Sequence, residues 1–421
     1  MANTFSKEER VAFEMMTEGF EDALVLSRNV NVFNSDSTQM ERSNDTIWRP
    51  APYILNSVDG APGTDIGALY QDATQLSVPA TLGFSKTAPW TLNASELRDA
   101  LQENRLGDAA KQRIASDINI AVMNVAAAQG TVVVARPLAA AGYDDVAECD
   151  AVFNEQGIPM GARYLALSSR DYNGMASNLA ARQTMNQKPT NAYERSYVGP
   201  VAGFETYKMD YANRIAVGAG TYTADTTGGN VDTVPASTVA TVNGQNNVDN
   251  RTQNLTTTSN TGVVAGDCIT IAGINSVHHI TKQDTGQLKT FRVISVTSGT
   301  VLVISPQIVT ASTTPTDAEL QYKNCELVST SGTAACTKLN IAAAAINPFW
   351  HKDAIELMPG RYAGDTDGAT MLRYTSEQGI ELTLTKQFEI DTRVTKYRLD
   401  TFFGVTMCAP EMAGIVLFGQ T

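Results

Sequence analysis

Residues 93–135 read NASELRDALQENRLGDAAKQRIASDINIAVMNVAAAQGTVVVA, and this stretch decides the fold class. Asn93 and Glu96 have the spacing of a helix-capping pair, and Leu97 and Leu101 open an apolar stripe. Leu106, Ala110, Ile114, Ile118, Val122 and Val125 carry the stripe on at steps of three and four, the period of one helix face. Gly130 then supplies a residue able to take positive φ just past the helix end. Read as one helix over 93–130, the segment spans roughly 57 Å at about 1.5 Å per residue, with Gly107 as its weak point. A helix of that length overshoots a compact domain and suits the spine of a broad, flat molecule. Thr131-Val132-Val133-Val134-Ala135 follows directly as a β-branched buried strand, ended by Arg136-Pro137. A long helix running into a buried strand sets the class as α+β.

Toward the N-terminus, Ser6 and Glu9 form a capping box for a helix over 6–28, with Val11, Met15, Phe20 and Leu24 on one face. Two readings stand for it: a helix packed on the chain's own core, or an arm laid on a neighbour. Residues 34–92 lack helical period. Pro50, Pro52, Pro62, Pro79 and Pro89, with Gly60, Gly63, Gly67 and Gly83, break helices and call for strands and turns. A long hairpin over about 50–80 has no core of its own, so its apolar residues Ile54, Leu55, Ile66 and Leu69 are expected to be buried against another chain.

On the C-terminal side, the pattern gives a helix over 144–156, a strand Arg163–Leu167 and a helix over 171–181. Composition then shifts. From Ala219 to Gly262 there is one basic residue, Arg251, no Lys or Glu, and abundant Thr. Alternating strands follow at 268–271, 291–296 and 301–304, with Ser298-Gly299 as a hairpin turn. Residues 219–345 therefore read as an all-β insertion, a small barrel, between flanks of mixed character. Strand patterns resume at 381–385 and 388–394, and 402–411 reads as a strand closed by a proline turn.

Composition narrows the function. The 421 residues include 31 Lys+Arg and 44 Asp+Glu, a formal charge of −13, which excludes a mainly basic nucleic-acid binder. Hydrophobic residues, at 43%, are too many for a disordered chain. No apolar leader opens the sequence and no apolar run reaches membrane-spanning length, so neither a signal peptide nor a membrane span is expected. Five cysteines without a CxxC pair fit synthesis in a reducing cytoplasm and argue against structural zinc or a disulfide framework.

Chemistry is hard to build from this chain. Its three histidines are His278, His279 and His351. The first two, adjacent on a strand, would face opposite ways and are expected on a loop or strand edge; the third has no ligand-spaced neighbour. Asp365-Thr366-Asp367-Gly368 starts like a calcium loop but continues with Ala369 and Ser376 where ligands are needed, so it reads as a surface turn. Nucleophile-elbow, phosphate-loop, zinc-protease and dinucleotide motifs are absent. No catalytic, cofactor-binding or metal residues are assigned, and an enzyme, including an acidic metal-dependent hydrolase, is not the expectation. The Thr/Asn-rich tract leaves a β-rich surface adhesin or glycan-binding protein as the alternative, opposed by the missing export signal.

Taken in order, the segments resemble the major capsid proteins of tailed double-stranded DNA phages, the HK-97-type fold. The closer likeness is to the coat protein of the short-tailed phage P-22, which carries a β-barrel insertion. The resemblance is carried by Met40–Pro50 before the extended loop, Glu96-Leu97-Arg98-Asp99 opening the spine helix, Pro200–Phe204, Val248–Arg251 and Gly266–Gly273, Asn347-Pro348-Phe349-Trp350, Asp353-Ala354-Ile355, Phe403-Gly404-Val405 and Ala409-Pro410-Glu411. It implies an N-terminal arm (1–38) and a peripheral domain (39–137) with an extended loop (about 50–80) and spine helix (93–130). It further implies an axial domain in two parts (138–218 and 346–395), the inserted barrel (219–345) and a peripheral C-terminal strand (396–421). It implies a subunit that associates with itself as hexamers and pentamers of an icosahedral T=7 shell, built in the host bacterium's cytoplasm with a scaffolding protein. A portal protein occupies one vertex, and the virion encloses double-stranded DNA without sequence-specific binding. In the P-22 relative an acidic loop of the insertion contacts the neighbouring capsomer. The matching stretch here, Thr233–Val248, has no ionisable residue, so Asn243, Gln245, Asn246 and Asn247 are the candidates to replace that contact by hydrogen bonds.

Overall fold

A computed structural model describes residues 7–17, 19–33, 46–55, 57, 60, 63, 65–67, 70–93, 100–181, 198–209, 211–218, 220, 222–311, 314–328, 332–362 and 370–421. The chain divides into two compact units: Met1–Ile47 with Ala80–Val125 and Ile355–Thr406, and Trp48–Pro79 with Ala126–Ala354 and Met407–Thr421.

In the first unit a six-stranded sheet runs Asn31–Val32, Ile355–Pro359, Val394–Met407, Glu381–Glu389, Thr370–Thr375, with Phe84–Asn93 paired to Val394–Met407. Phe84–Asn93 alternates between more and less exposed residues along its whole length, the pattern of a strand with one covered face. Directly opposed pairs lock its register: Trp90 stacks on Tyr397 with centroids 5.6 Å apart, and Phe84 on Phe403 at 5.4 Å. The helical stripe is buried as expected, with Ile114, Ile118 and Val122 at 1% exposure or less. Asn119 on this helix accepts from the Leu26 N–H at 3.1 Å and donates to the Ala23 carbonyl at 2.9 Å, fixing the turn before the first strand.

The sequence expectations need several corrections here. The long helix is Ala100–Gln129, about 45 Å. Asn93 is a strand residue paired with Val394, not a helix cap; Glu96 and Leu97 lie outside the described residues. Gly107 does not split the helix; it is buried in a run of good helix formers that tolerates its cost of about 1 kcal/mol. The N-terminal helix is not continuous over 6–28. It runs Lys7–Thr17, breaks at Gly19 with φ +76°, and resumes as the short turns Phe20–Ala23 and Ser27–Asn29. The break splits the stripe, so Phe20 and Leu24 are buried while Val11 and Met15 are exposed. Ser6 of the capping box and the turn 365–368 lie outside the described residues. Residues 390–393 form a turn between two strands and do not continue one.

The second unit holds a five-stranded sheet in the order Val132–Ala135, Ala413–Leu417, Asn347–His351, Arg163–Ser168, Phe204–Met209. The helices Tyr143–Glu155 and Ser169–Ala181 pack on it over a core that includes Phe153, Phe204 and Phe349. Ala413–Leu417 is buried at every residue and lies inside this sheet. The C-terminal boundaries therefore differ from those expected. The strands Ile355–Pro359, Thr370–Thr375, Glu381–Glu389 and Val394–Met407 belong to the first unit's sheet and Ala413–Leu417 to the second's, in place of a division at 395/396.

The β-rich stretch forms a seven-stranded sheet from Tyr222–Asp225 to Thr333–Lys338 with its own core, including Leu255, Ile269, Ile271, Phe291, Leu302 and Ile304. Its path runs Gln253–Thr256, Val301–Ser305, Asp284–Ser298, Cys268–Val277, Thr333–Lys338, Tyr222–Asp225, and a bridge between Ala224 and Thr257 brings the two ends together. The hairpin turn is Gly299-Thr300, one residue later than expected, because Ser298 still pairs with Val301.

Arg163, 2% exposed, organises the loop after the helix Tyr143–Glu155. It donates to the carbonyls of Pro159 (3.0 Å) and Ile158 (2.6 Å) and to Asn154 Oδ1 (2.9 Å), pairs with Asp150, and lies 5.4 Å from the Phe153 ring centroid. Arg163→Met should lower stability by about 3 kcal/mol, because it strands a carboxylate and two carbonyls. Urea denaturation checks this, and a loss below about 1 kcal/mol contradicts it.

Candidate assembly surfaces

Two exposed segments of the second unit carry most of the residues singled out from sequence. The first leaves the short strand pair Thr46–Pro50 and Ser77–Thr81. Its root is held by the bond from the Ala51 N–H to the Leu76 carbonyl (2.7 Å) and by Tyr53 Oη to Gln75 Oε1 (3.0 Å). The helix Asp317–Tyr322 grips it further: Asp317 accepts from the Asp72 N–H (2.9 Å), Gln321 donates to the Asp72 carbonyl (2.8 Å), and Tyr322 donates to the Thr74 carbonyl (2.7 Å). Of the expected contact residues, Ile54 is half-buried, Leu55 and Ile66 are exposed, and Leu69 lies outside the described residues. Tyr53 and Tyr70 are exposed as well and were not picked out from sequence. Aromatic residues beside proline and glycine in a segment with no core were the available signal.

The second segment is the hairpin Thr238–Thr241 with Gly244–Asn247, turning at Val242-Asn243. Its base is rigid. Asn250 bridges Ala236 in both directions, and Arg251 holds Asp249 through two nitrogens while donating to the Met407 carbonyl at 2.8 Å. Asn243, Gln245, Asn246 and Asn247 are all exposed. They do not share one face: along a strand, Gln245 and Asn247 point opposite to Asn246. Sequence reading missed Val239, opposite Asn246, and Val242, fully exposed at the tip.

The same unit holds a largely buried charge cluster. Glu411, on the turn Pro410–Met412, pairs closely with Lys289 and accepts from Asn324 Nδ2 at 3.0 Å, with His279 Nε2 at 3.8 Å. Burial pushes the Glu411 carboxyl up, but the positive charges of Lys289, His279 and Lys282 outweigh it and hold the group at about 2. Burial lowers Lys289, and Glu411 more than restores it, so its pKa is raised. Burial brings Lys282 down to about 8 and moves His279 below its ordinary value. His278 and His279 sit at a turn, in line with the loop reading, and the His278 ring lies over Gly157, where φ is +77° and an added Cβ would come within 2.5 Å of the imidazole. His351 is a buried strand residue whose Nδ1 accepts from the Asp353 N–H at 3.3 Å. Among the described residues no cluster able to hold a metal ion is present, and no helix is long and apolar enough to cross a membrane.

Glu411 titrates lower in the fold than in the unfolded chain. Its contribution to stability is therefore complete above the ordinary carboxylate range and is lost as the pH falls from there toward about 2. Glu411→Gln should cost about 3 kcal/mol at neutral pH by leaving Lys289 buried without its partner. The gap from the natural chain should shrink between about pH 5 and about pH 3. Urea titrations across that range test it, and a gap independent of pH contradicts it.

These surfaces belong to a subunit with no constellation for chemistry among its described residues, and comparisons with known proteins agree. The family model described as P22 coat protein (gene protein 5) matches residues 1–419. Among solved structures, the chain is similar to one from Mycobacterium phage Che8, with 9% identity, 93% of this chain and 90% of that one covered, and a TM-score of 0.44. It is also similar to the asymmetric unit of the bacteriophage PhiM1 mature capsid, with 9% identity, 93% and 89% covered, and a TM-score of 0.41. The CUS-3 coat protein I-domain matches at 35% identity over 28% of this chain and 95% of that one, with a TM-score of 0.22. With the family model spanning nearly every residue, the chain belongs to the P22 coat protein family and is a structural major capsid protein of a phage shell, not an enzyme.

Proposed function

We propose that copies of this chain associate as hexamers and pentamers, with a scaffolding protein, into an icosahedral T=7 procapsid that has a portal protein at one vertex and matures into the HK-97-type shell around double-stranded DNA. The observation that carries this reading is the family match over residues 1–419. Synthesis and assembly take place in the host cytoplasm. The net charge of −13 supports a container role, because a wall of like sign does not adsorb the phosphates it encloses. Maturation is a rigid-body shift between two packings of the subunits.

In this reading the extended segment lies over an adjacent subunit and buries Ile54, Leu55, Ile66 and Leu69 there, together with Tyr53 and Tyr70. Apolar area so covered is worth roughly 25 cal/mol per Å2 before the costs of ordering. The uncharged hairpin meets the neighbouring capsomer through Asn243, Gln245, Asn246 and Asn247, with Val242 at its tip. Residues 219–345 form an inserted domain that closes as a barrel, folds by itself and stabilises the subunit before assembly. Its separate core around Phe291 and the bridge between Ala224 and Thr257 support this.

Co-expression with a scaffolding protein from the same family, followed by electron microscopy, should give closed shells; monomers alone would overturn the reading. In the same experiment Val242→Asp should leave subunit stability within about 0.5 kcal/mol, as expected for an exposed side chain, while reducing well-formed shells. A fragment spanning 219–345 should give a β-type far-UV spectrum and a cooperative unfolding transition. A random-coil spectrum would refute the independent domain.

A further inference from the structure

The chain contains two Asn-Gly pairs, Asn173-Gly174 and Asn243-Gly244. An asparagine before glycine is open to attack by its own backbone, because glycine has no Cβ to shield the amide nitrogen that follows the asparagine. The fold treats the two pairs oppositely, although both asparagines are exposed. Asn173-Gly174 lies inside the helix Ser169–Ala181, where backbone N–H groups are tied to carbonyls four residues back. Asn173 Oδ1 accepts from Lys208 Nζ at 3.1 Å, and a Cβ added at Gly174 would come within 2.6 Å of the Ala140 carbonyl oxygen. Neither the side chain nor the backbone at that pair is free to turn toward the other.

Asn243-Gly244 sits at the turn of the hairpin Thr238–Thr241 with Gly244–Asn247. Every residue from Val239 to Asn247 is exposed, and a Cβ added at Gly244 would meet nothing within 4 Å. Among the described residues no hydrogen bond holds the Asn243 side-chain amide. Gly244 is engaged by its pairing with Thr241, but a two-stranded hairpin without a core is marginally stable, so this end opens at little cost. Asn250 and Arg251 hold the base, which confines the opening to the tip. The surrounding stretch Thr233–Val248 has no ionisable side chain, so a new charge there has no counter-ion and no competitor within it.

We propose that Asn243 is a deamidation site of the unassembled subunit, which turns an uncharged hairpin into an acidic one with time. The Gly244 backbone nitrogen attacks Asn243 Cγ. A C–N bond forms there, the bond from Cγ to the side-chain nitrogen breaks, and that nitrogen leaves as ammonia with the proton shed by the Gly244 amide. Water opens the resulting succinimide at either carbonyl and gives aspartate or isoaspartate. Nothing is oxidised or reduced, and solvent water is the only co-reactant. Each event adds one negative charge at neutral pH. The isoaspartyl product also lengthens the backbone by one methylene, which upsets the pairing of Thr241 with Gly244. The reaction belongs to the free subunit and stands whether or not the assembly scheme above is right. Within that scheme, a subunit that waits unassembled exchanges the hydrogen-bonding amide of its contact hairpin for a charge.

The test incubates the full-length unassembled chain in mildly alkaline buffer and follows its proteolytic fragments by mass spectrometry. The fragment holding Asn243 should gain about 1 Da and include an isoaspartyl form, at least about tenfold faster than the fragment holding Asn173. Isoelectric focusing of the folded chain should show a more acidic band growing at the same rate. Asn243→Gln keeps an amide at an exposed position but would have to close a six-membered ring, so both signals should vanish in it. An unchanged mass at Asn243 overturns the proposal. Equal rates at Asn173 and Asn243 overturn it as well, since they would place the reaction in unfolded chains. So does an acidic band that grows undiminished in Asn243→Gln.

Discussion

A carboxylate drawn largely out of water needs partners, and Glu411 is the group around which the second unit closes. Three stretches distant in sequence converge on it: Lys289 from the central strand of the insertion, Asn324 from the turn that follows its short helix, and His279 from the turn between its two longest strands. Glu411 itself lies on the turn that delivers the chain into Ala413–Leu417. Satisfying one buried charge thus fixes the insertion against the sheet. The arrangement is strong only while complete. Removing one partner exposes the full cost of a buried charge, whereas replacing the whole cluster with apolar groups need not destabilise the fold.

The division of labour follows. Buried polar contacts hold each unit together, while the extended segment and the hairpin leave apolar side chains uncovered. The exposed apolar residues include Tyr53, Leu55, Ile66 and Tyr70 on the extended segment and Val239 and Val242 on the hairpin, and hydrogen bonds hold the base of each. A subunit of a closed lattice needs that combination, because a contact made on a floppy stem loses its energy to ordering.

Much of this was legible in the sequence. Stripes at helical spacing located the long helix and the helices Tyr143–Glu155 and Ser169–Ala181, and alternation located the strands of the insertion, because those signals are local. The break at Gly19 and the place of Asn93 in a strand were not, because helix ends are decided by a few residues whose preferences tertiary contacts override. Ala413–Leu417 escaped because a five-residue apolar run after a proline turn has no period to read, and its identity as a strand depends on partners at 132–135 and 347–350. Lys289 and Glu411 were invisible for the same reason: their meaning lies in groups more than a hundred residues away. Of the candidate contact residues that are described, Ile54 is half-buried and the others are exposed, and the way Gln245 and Asn246 point apart only a register could show.

The position of Ala413–Leu417 carries a consequence for timing. It lies between Val132–Ala135 and Asn347–His351, so Val132–Ala135 cannot join the other three strands of that sheet until this one exists. During synthesis, at roughly 5–20 residues per second, the ribosome makes the helices, the insertion and four of the five strands before the one that unites them.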